Sequence, residues 1–171
     1  MSPREAQAKA VELVQAAFQA ARAGDVPALT GLLDAGVPAN VSNERGDSLL
    51  MLAAYNGRVE AVRLLLARGA DPGLANARGQ TPLAGVAFKG DVAAAEALLE
   101  GGAAVDGAGP DGKTALMFAA MFDQVAVVDL LLARGADPLR RDASGVTAAE
   151  LAHGMGAKRA EARLAGVRRA A

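Results

Sequence analysis

The stretch GKTALMFAAMFDQVAVVDLLLARGADP, residues 112–138, decides how this chain folds. It divides into a short apolar run (ALMFAAM, 115–121), a break at Phe122-Asp123-Gln124, and a second apolar run (VAVVDLLLA, 125–133). Thr114 stands before the first run, where a hydroxyl can accept an orphan amide of a helix N-terminus. Asp123 falls where a left-handed residue is needed to close the first helix, a region Asp visits more readily than most residues. Gly135 closes the second run, and GADP (135–138) then turns the chain into a polar stretch. The string predicts two short helices joined by a tight turn.

The same letters return every 33 residues, and internal repetition outranks any local reading. Gly46, Gly79, Gly112 and Gly145 form one series, and Gly36, Gly69, Gly102 and Gly135 a second. A third runs Gly24, Gly57, Gly90 and then Asp123. Ser48, Thr81, Thr114 and Thr147 supply a hydroxyl before each first helix, and Pro82 follows Thr81 at a position that proline tolerates. Leucine pairs recur at 32–33, 65–66, 98–99 and 131–132, with Leu65, Leu98, Leu116 and Leu131 expected in the core.

These residues resemble the ankyrin repeat family over nearly the whole chain. The resemblance rests on GDSLLMLAAYNGRVEAVRLLLARGADP (46–72), GQTPLAGVAFKGDVAAAEALLEGGA (79–103) and the opening stretch. The family tetrapeptide T-P-L-H stands here as Ser48-Leu49-Leu50-Met51, Thr81-Pro82-Leu83-Ala84, Thr114-Ala115-Leu116-Met117 and Thr147-Ala148-Ala149-Glu150. Its histidine is absent from every unit, and with it goes a hydrogen-bond network that usually braces the turn. The composition, rich in Ala, Arg and Gly, looks like that of small bacterial members.

The implied fold is an all-α solenoid of helix–turn–helix units joined by β-hairpin-like loops. It is expected as a single domain over 1–171: full repeats at 46–78, 79–111 and 112–144, a capping repeat at 1–45 and another at 145–171. Solenoids need such polar ends. Ser2-Pro3-Arg4-Glu5 reads as a capping box opening a helix to about Ala23, with Val11, Val14, Phe18 and Ala21 on its inner face. Thr147 and Glu150 form another box. The last helix, from about Ala157, carries Lys158, Arg159, Arg163, Arg168 and Arg169 as a polar face.

One string points elsewhere. GAGPDGKT (107–114) fits the phosphate-loop pattern G-x-x-x-x-G-K-[ST] at every position. Aligned by the period, however, it falls over VSNERGDS (41–48), LANARGQT (74–81) and RRDASGVT (140–147), so Gly112 and Thr114 already have repeat roles. A phosphate loop also needs a buried strand feeding it and a long helix leaving it. GGAAVD (101–106) offers no strand, and Asp111 would repel phosphate. Nucleotide binding is therefore set aside as the weaker alternative.

Other chemistries find no footing. There is no Cys, and His153 is the only histidine, so no His-based metal cluster forms and neither metal nor cofactor is expected. Glu150 stands a helical turn from His153 without a nucleophile. Hydrophobic residues make up 52% of the chain but aromatic ones only 3%, which suits helix-on-helix packing. No apolar run reaches membrane-spanning length, and the N-terminus lacks the apolar core of a signal peptide, so a cytosolic protein is expected. A net charge of −1 argues against a broad nucleic-acid footprint, although Arg140, Arg141 and the basic last helix keep that contact as another alternative.

The reading is thus a non-enzymatic module that binds another protein and acts as a monomer. In the family, partners dock on the concave side, made by loop tips and first helices. Transferred by position, the tips are Glu44, Arg45 and Asp47, then Ala77, Arg78 and Gln80, then Pro110, Asp111 and Lys113, then Ala143, Ser144 and Val146. Tyr55, Phe88 and Met121 share one position near the ends of the first helices, and Asn56, Lys89 and Phe122 share the next. An exposed apolar row of this kind reads as a contact site. The alternative is that these side chains fold back onto neighbouring repeats. Phe118 is expected in the core.

Overall fold

The computed structural model of the chain describes residues 1–170, with side chains up to Val167. Arg168 and Arg169, expected on the polar face of the last helix, lie outside the described side chains. Ten helices and no strands make up the described residues. They pair as five hairpins: α1 (Pro3–Ala23) with α2 (Val26–Asp34), α3 (Leu49–Tyr55) with α4 (Val59–Ala67), and α5 (Pro82–Lys89) with α6 (Val92–Glu100). The last two are α7 (Ala115–Met121) with α8 (Val125–Ala133), and α9 (Ala148–Gly154) with α10 (Lys158–Ala170). The first helices of the pairs stack in one layer, α1–α3–α5–α7–α9, and the second helices in another.

Each α3-type helix begins where a hydroxyl predicts it. Ser48, Thr81, Thr114 and Thr147 are buried, and each accepts the amide three residues on, at 3.0–3.3 Å. The position left without histidine is used locally: the Glu150 carboxylate accepts the Thr147 amide at 3.0 Å, and the Met117 thioether accepts that of Thr114 at 3.5 Å. Between the paired helices the chain turns through the left-handed region at Gly57 and Gly90. Asp123 does the same with φ 57°, as the one non-glycine residue at positive φ among those described. Its side chain offsets that strain by accepting the Ala160 amide at 2.8 Å and the Arg159 guanidinium at 2.9 Å.

Packing follows the leucine series. Leu65, Leu98, Leu116 and Leu131 are fully buried, and Phe118 is buried with them. Small side chains (Ala53, Ala54, Ala87, Ala119, Ala120, all inaccessible) on the first helices let these short elements approach closely. α1 departs from its expected inner face. Phe18 and Ala21 are buried and Val14 is half-buried, but Val11 is 55% exposed. The reason is length: α1 has 21 residues against seven in α3, so its N-terminal half overhangs the stack.

The loops at 41–48, 107–114 and 140–147 close as single antiparallel bridges (Ser42–Ser48, Ala108–Thr114, Arg141–Thr147) rather than as strands. Bracing that the histidine would have given comes instead from one amide or carboxylate per loop. Asn43, Asn76 and Asp142, again 33 or 66 apart, each accept two backbone amides across their own turn at 2.9–3.1 Å. Gly109 occupies that position in the third loop, where Asp111 takes the Lys113 amide instead, at 3.0 Å.

Candidate protein-binding surface

The candidate face is built from the four loop tips and the C-terminal ends of α3, α5, α7 and α9; the preceding residues of α3, α5 and α7 are buried. At the ends of these helices the expected row is partly open and partly folded in. Tyr55 is 36% and Phe122 39% exposed, while Phe88 and Met121 are half-buried. Contacts run diagonally, from one repeat position to the next position one repeat on. The Lys89 ammonium lies 4.5 Å from the Tyr55 ring centroid and donates to the Tyr55 carbonyl at 2.7 Å. The Phe88 and Phe122 rings meet edge to face with centroids 4.5 Å apart, a geometry that aromatic quadrupoles favour. Asn56 donates back to the Leu52 carbonyl at 2.7 Å and stays exposed.

The tips separate into solvated and engaged residues. Glu44, Arg45 and Arg78 are exposed, and Gln80 is half-buried. Asp47 accepts the Asn76 side-chain amide at 3.0 Å, joining the first loop to the second. Lys113, the lysine of the phosphate-loop string, reaches the fourth loop: its ammonium stands 3.1 Å from the Asp142 carboxylate and 3.9 Å from Asp111. Asp142 is buried, and its carboxyl is held below the ordinary aspartate range chiefly by the Val146 amide, with Lys113 and Ser144 assisting against the effect of burial. No strand precedes residues 107–114, and Thr114 caps a helix of seven residues. Asp123 is likewise held low, foremost by the Arg159 guanidinium and then by the Ala160 amide.

Two adjoining cavities open on this face. One of about 680 Å³ lies between the first two tips and α3, with Met51 and Leu52 behind Tyr55. The other, of about 700 Å³, lies between α1 and the first tip. Arg22, Asn43 and Arg45 line both. His153 pairs with Glu161 at 2.8 Å, and both are surface residues of the last repeat. Among the described residues no group of three His, Asp or Glu could hold a metal, and no helix is long and apolar enough to cross a membrane.

Repeated hairpins, hydroxyl-capped first helices and left-handed turns find their match in one family. Its model, ankyrin repeats in three copies, matches residues 17–106 and again 50–142. The chain belongs to the ankyrin repeat family. It is also similar to an ankyrin repeat protein of Pseudomonas aeruginosa, 53% identical over 56 residues, covering 32% of this chain. This chain spans only 33% of that relative's length. Ankyrin repeats are in general protein–protein interaction modules and typically carry no catalytic activity.

Several residues of this surface escaped the sequence reading, although the signal was present. Arg22 stands 33 before Tyr55, Met155 stands 33 after Phe122, and Gly156 continues the left-handed series 33 after Asp123 with φ 69°. Extending each series by one unit into the caps finds all three. The Asn43–Asn76–Asp142 series was hidden by the glycine that interrupts it.

Proposed function

We propose that the chain is a non-catalytic recognition module that holds another protein against its concave face, as a scaffold, inhibitor or stabiliser of that protein. Residues 46–78, 79–111 and 112–144 are taken as its three full repeats, with the flanking segments as caps. The observation that carries the reading is the apolar surface at the ends of the first helices. Tyr55 and Phe122 keep part of their rings open to solvent beside half-buried Phe88 and Met121, although Lys89 lies on the first ring and Phe88 packs on the second. Large side chains held in a row by a rigid stack lose little freedom on binding, which is what makes such residues effective anchors. Around them the tips Glu44, Arg45, Asp47, Arg78, Gln80, Asp111 and Lys113 offer a varied polar rim, with Asn56 and Lys89 at the helix ends. Lys113 and Asp111 would contribute from within their contacts to the neighbouring loop.

The test is capture of a partner from the source cell by the chain alone, which is expected to act as a monomer. Changing Tyr55, Phe88 and Met121 together to Ser should abolish capture with the helical circular dichroism retained. Undiminished capture by that variant would remove the row from the binding site. Labelled ATP should not bind the unaltered protein; binding that is lost in Lys113→Ala would restore the phosphate-loop reading.

A further inference from the structure

Arg22, Arg45 and Arg78 line one groove on the N-terminal half of the concave face, between α1, α3 and the first two tips. Among the described residues, Arg63, Arg68, Arg141, Arg159 and Arg163 stand within 4 Å of a carboxylate; these three do not, nor do Arg4, Arg58, Arg134 and Arg140, which lie outside the groove. Arg45 and Arg78 occupy the same repeat position, and their loops are fixed to each other: the Ala77 amide donates to the Arg45 carbonyl at 3.0 Å. Asn76 adds a second tie to Asp47. The backbone positions that carry Arg45 and Arg78 are thus held in register. Behind them lie the buried side chains of Met51 and Leu52 and the exposed ring of Tyr55.

We propose that this groove receives an acidic segment of the partner protein, with its carboxylates on Arg22, Arg45 and Arg78 and an apolar residue against Tyr55. The inference rests on the protein-binding reading above and names the chemistry of the partner. Guanidinium is the cation best suited to the task, because its planar fork meets a carboxylate with two charge-assisted hydrogen bonds. A groove with an apolar floor strengthens such pairs relative to open water. Phosphate backbones fit less well. They ask for a continuous basic stripe, whereas here Glu44 and Asp47 are interleaved with the arginines. The C-terminal half of the same face differs in character, with Phe122 39% and Met155 53% exposed.

A displayed random dodecapeptide library, selected against the whole chain, tests the proposal without presuming the ligand. The expected result is enrichment of net-negative peptides carrying an apolar residue, with affinity that falls as salt is raised. Arg45→Glu with Arg78→Glu should weaken an enriched peptide by more than about tenfold, since two charge-assisted contacts become repulsive. Both side chains are exposed, so circular dichroism should be unchanged. Enrichment of neutral or basic peptides would overturn the inference and leave the protein-binding reading standing. So would charge reversal without effect on the enriched acidic peptide. A twelve-nucleotide dT strand that binds more tightly than any enriched peptide would overturn it in favour of nucleic acid. An empty selection overturns it too, and the partner capture described above then tells whether the wider reading falls with it.

Discussion

The junction between the first and second loops and the junction between the third and fourth are built alike, while the one between the second and third is not. In the first, the Ala77 amide donates to the Arg45 carbonyl at 3.0 Å, Asn76 reaches Asp47, and the Asn40 side chain accepts the Asp71 amide at 2.7 Å. In the last, the Ala143 amide donates to the Asp111 carbonyl at 2.9 Å, Lys113 reaches Asp142, and Asp106 accepts the Asp137 amide at 3.1 Å. At the middle junction the equivalent residues are Pro110, Gly109 and Gly73. Proline has no amide to donate and glycine no side chain to donate or accept, so all three ties are missing together. A small cavity of about 80 Å³, lined in part by Gly73, Ala104 and Gly107, lies at the same junction. The helices beneath do not share the difference, since α5 packs on α7 as closely as its neighbours do. The loop tips therefore fall into two tied pairs on one continuous helical core.

The largest effect that would expose this difference is expected at Gly109. A Cβ built there would run into the Gly79 carbonyl oxygen of the second loop, a backbone atom that cannot swing aside. Gly109→Ala should therefore cost about 1–3 kcal/mol, the usual range for overpacking, read from urea denaturation. An unchanged midpoint would mean that the two loops already stand apart in solution.

Acid should separate the two tied junctions from each other. Asp142 has a carboxyl held below its unfolded value of about 3.9, so its contribution is complete above that pH and is lost as pH falls through the folded value. The first junction carries Asn76 at that position, which does not titrate. Asp142→Asn keeps an oxygen for the Ser144 and Val146 amides but removes the charge that meets Lys113. It should lower the denaturation midpoint at neutral pH and flatten its decline below about pH 4. An acid slope identical to that of the unaltered protein would take Asp142 out of the account.

Much of this was legible in the sequence, and the exceptions have a common cause. Period, caps and turn residues act within a few residues of themselves, so Thr114 and Asp123 announce their roles by position alone. The aromatic row was legible as a position but not as a contact. Whether Phe88 lies open or under Phe122 depends on the offset between stacked repeats, which one unit's sequence does not contain. Lys113 shows the same limit: its neighbours write a phosphate-loop string, but its charge is used by a carboxylate of the next loop. The unmatched junction was written in three letters, Gly73, Gly109 and Pro110. Each reads as an ordinary turn residue until its partners across the junction are known.

The smallest effect expected is also the most direct probe of that junction. Pro110 occupies the place of Ala77 and Ala143, and its Cδ is 3.8 Å from a Cβ built on Gly79. At Gly46 and Gly112 the corresponding backbone nitrogens come to 2.8 and 2.9 Å. Pro110→Ala returns an amide at the position that bonds the preceding loop's carbonyl in the tied junctions, and a hydrogen bond formed there to Arg78 would contribute about 0.5–1.5 kcal/mol. Removing proline also loosens the unfolded chain, a loss of about 0.4–1 kcal/mol. The two nearly cancel, so stability should change by only a few tenths of a kcal/mol, and amide exchange is the measurement to use. In the unaltered protein the Ala77 and Ala143 amides should exchange slowly. In Pro110→Ala the new amide should join them if the loops are close enough to bond. Fast exchange at Ala77 and Ala143 would instead show that the paired tips are no more tied than the middle one, and the contrast between the junctions would be lost.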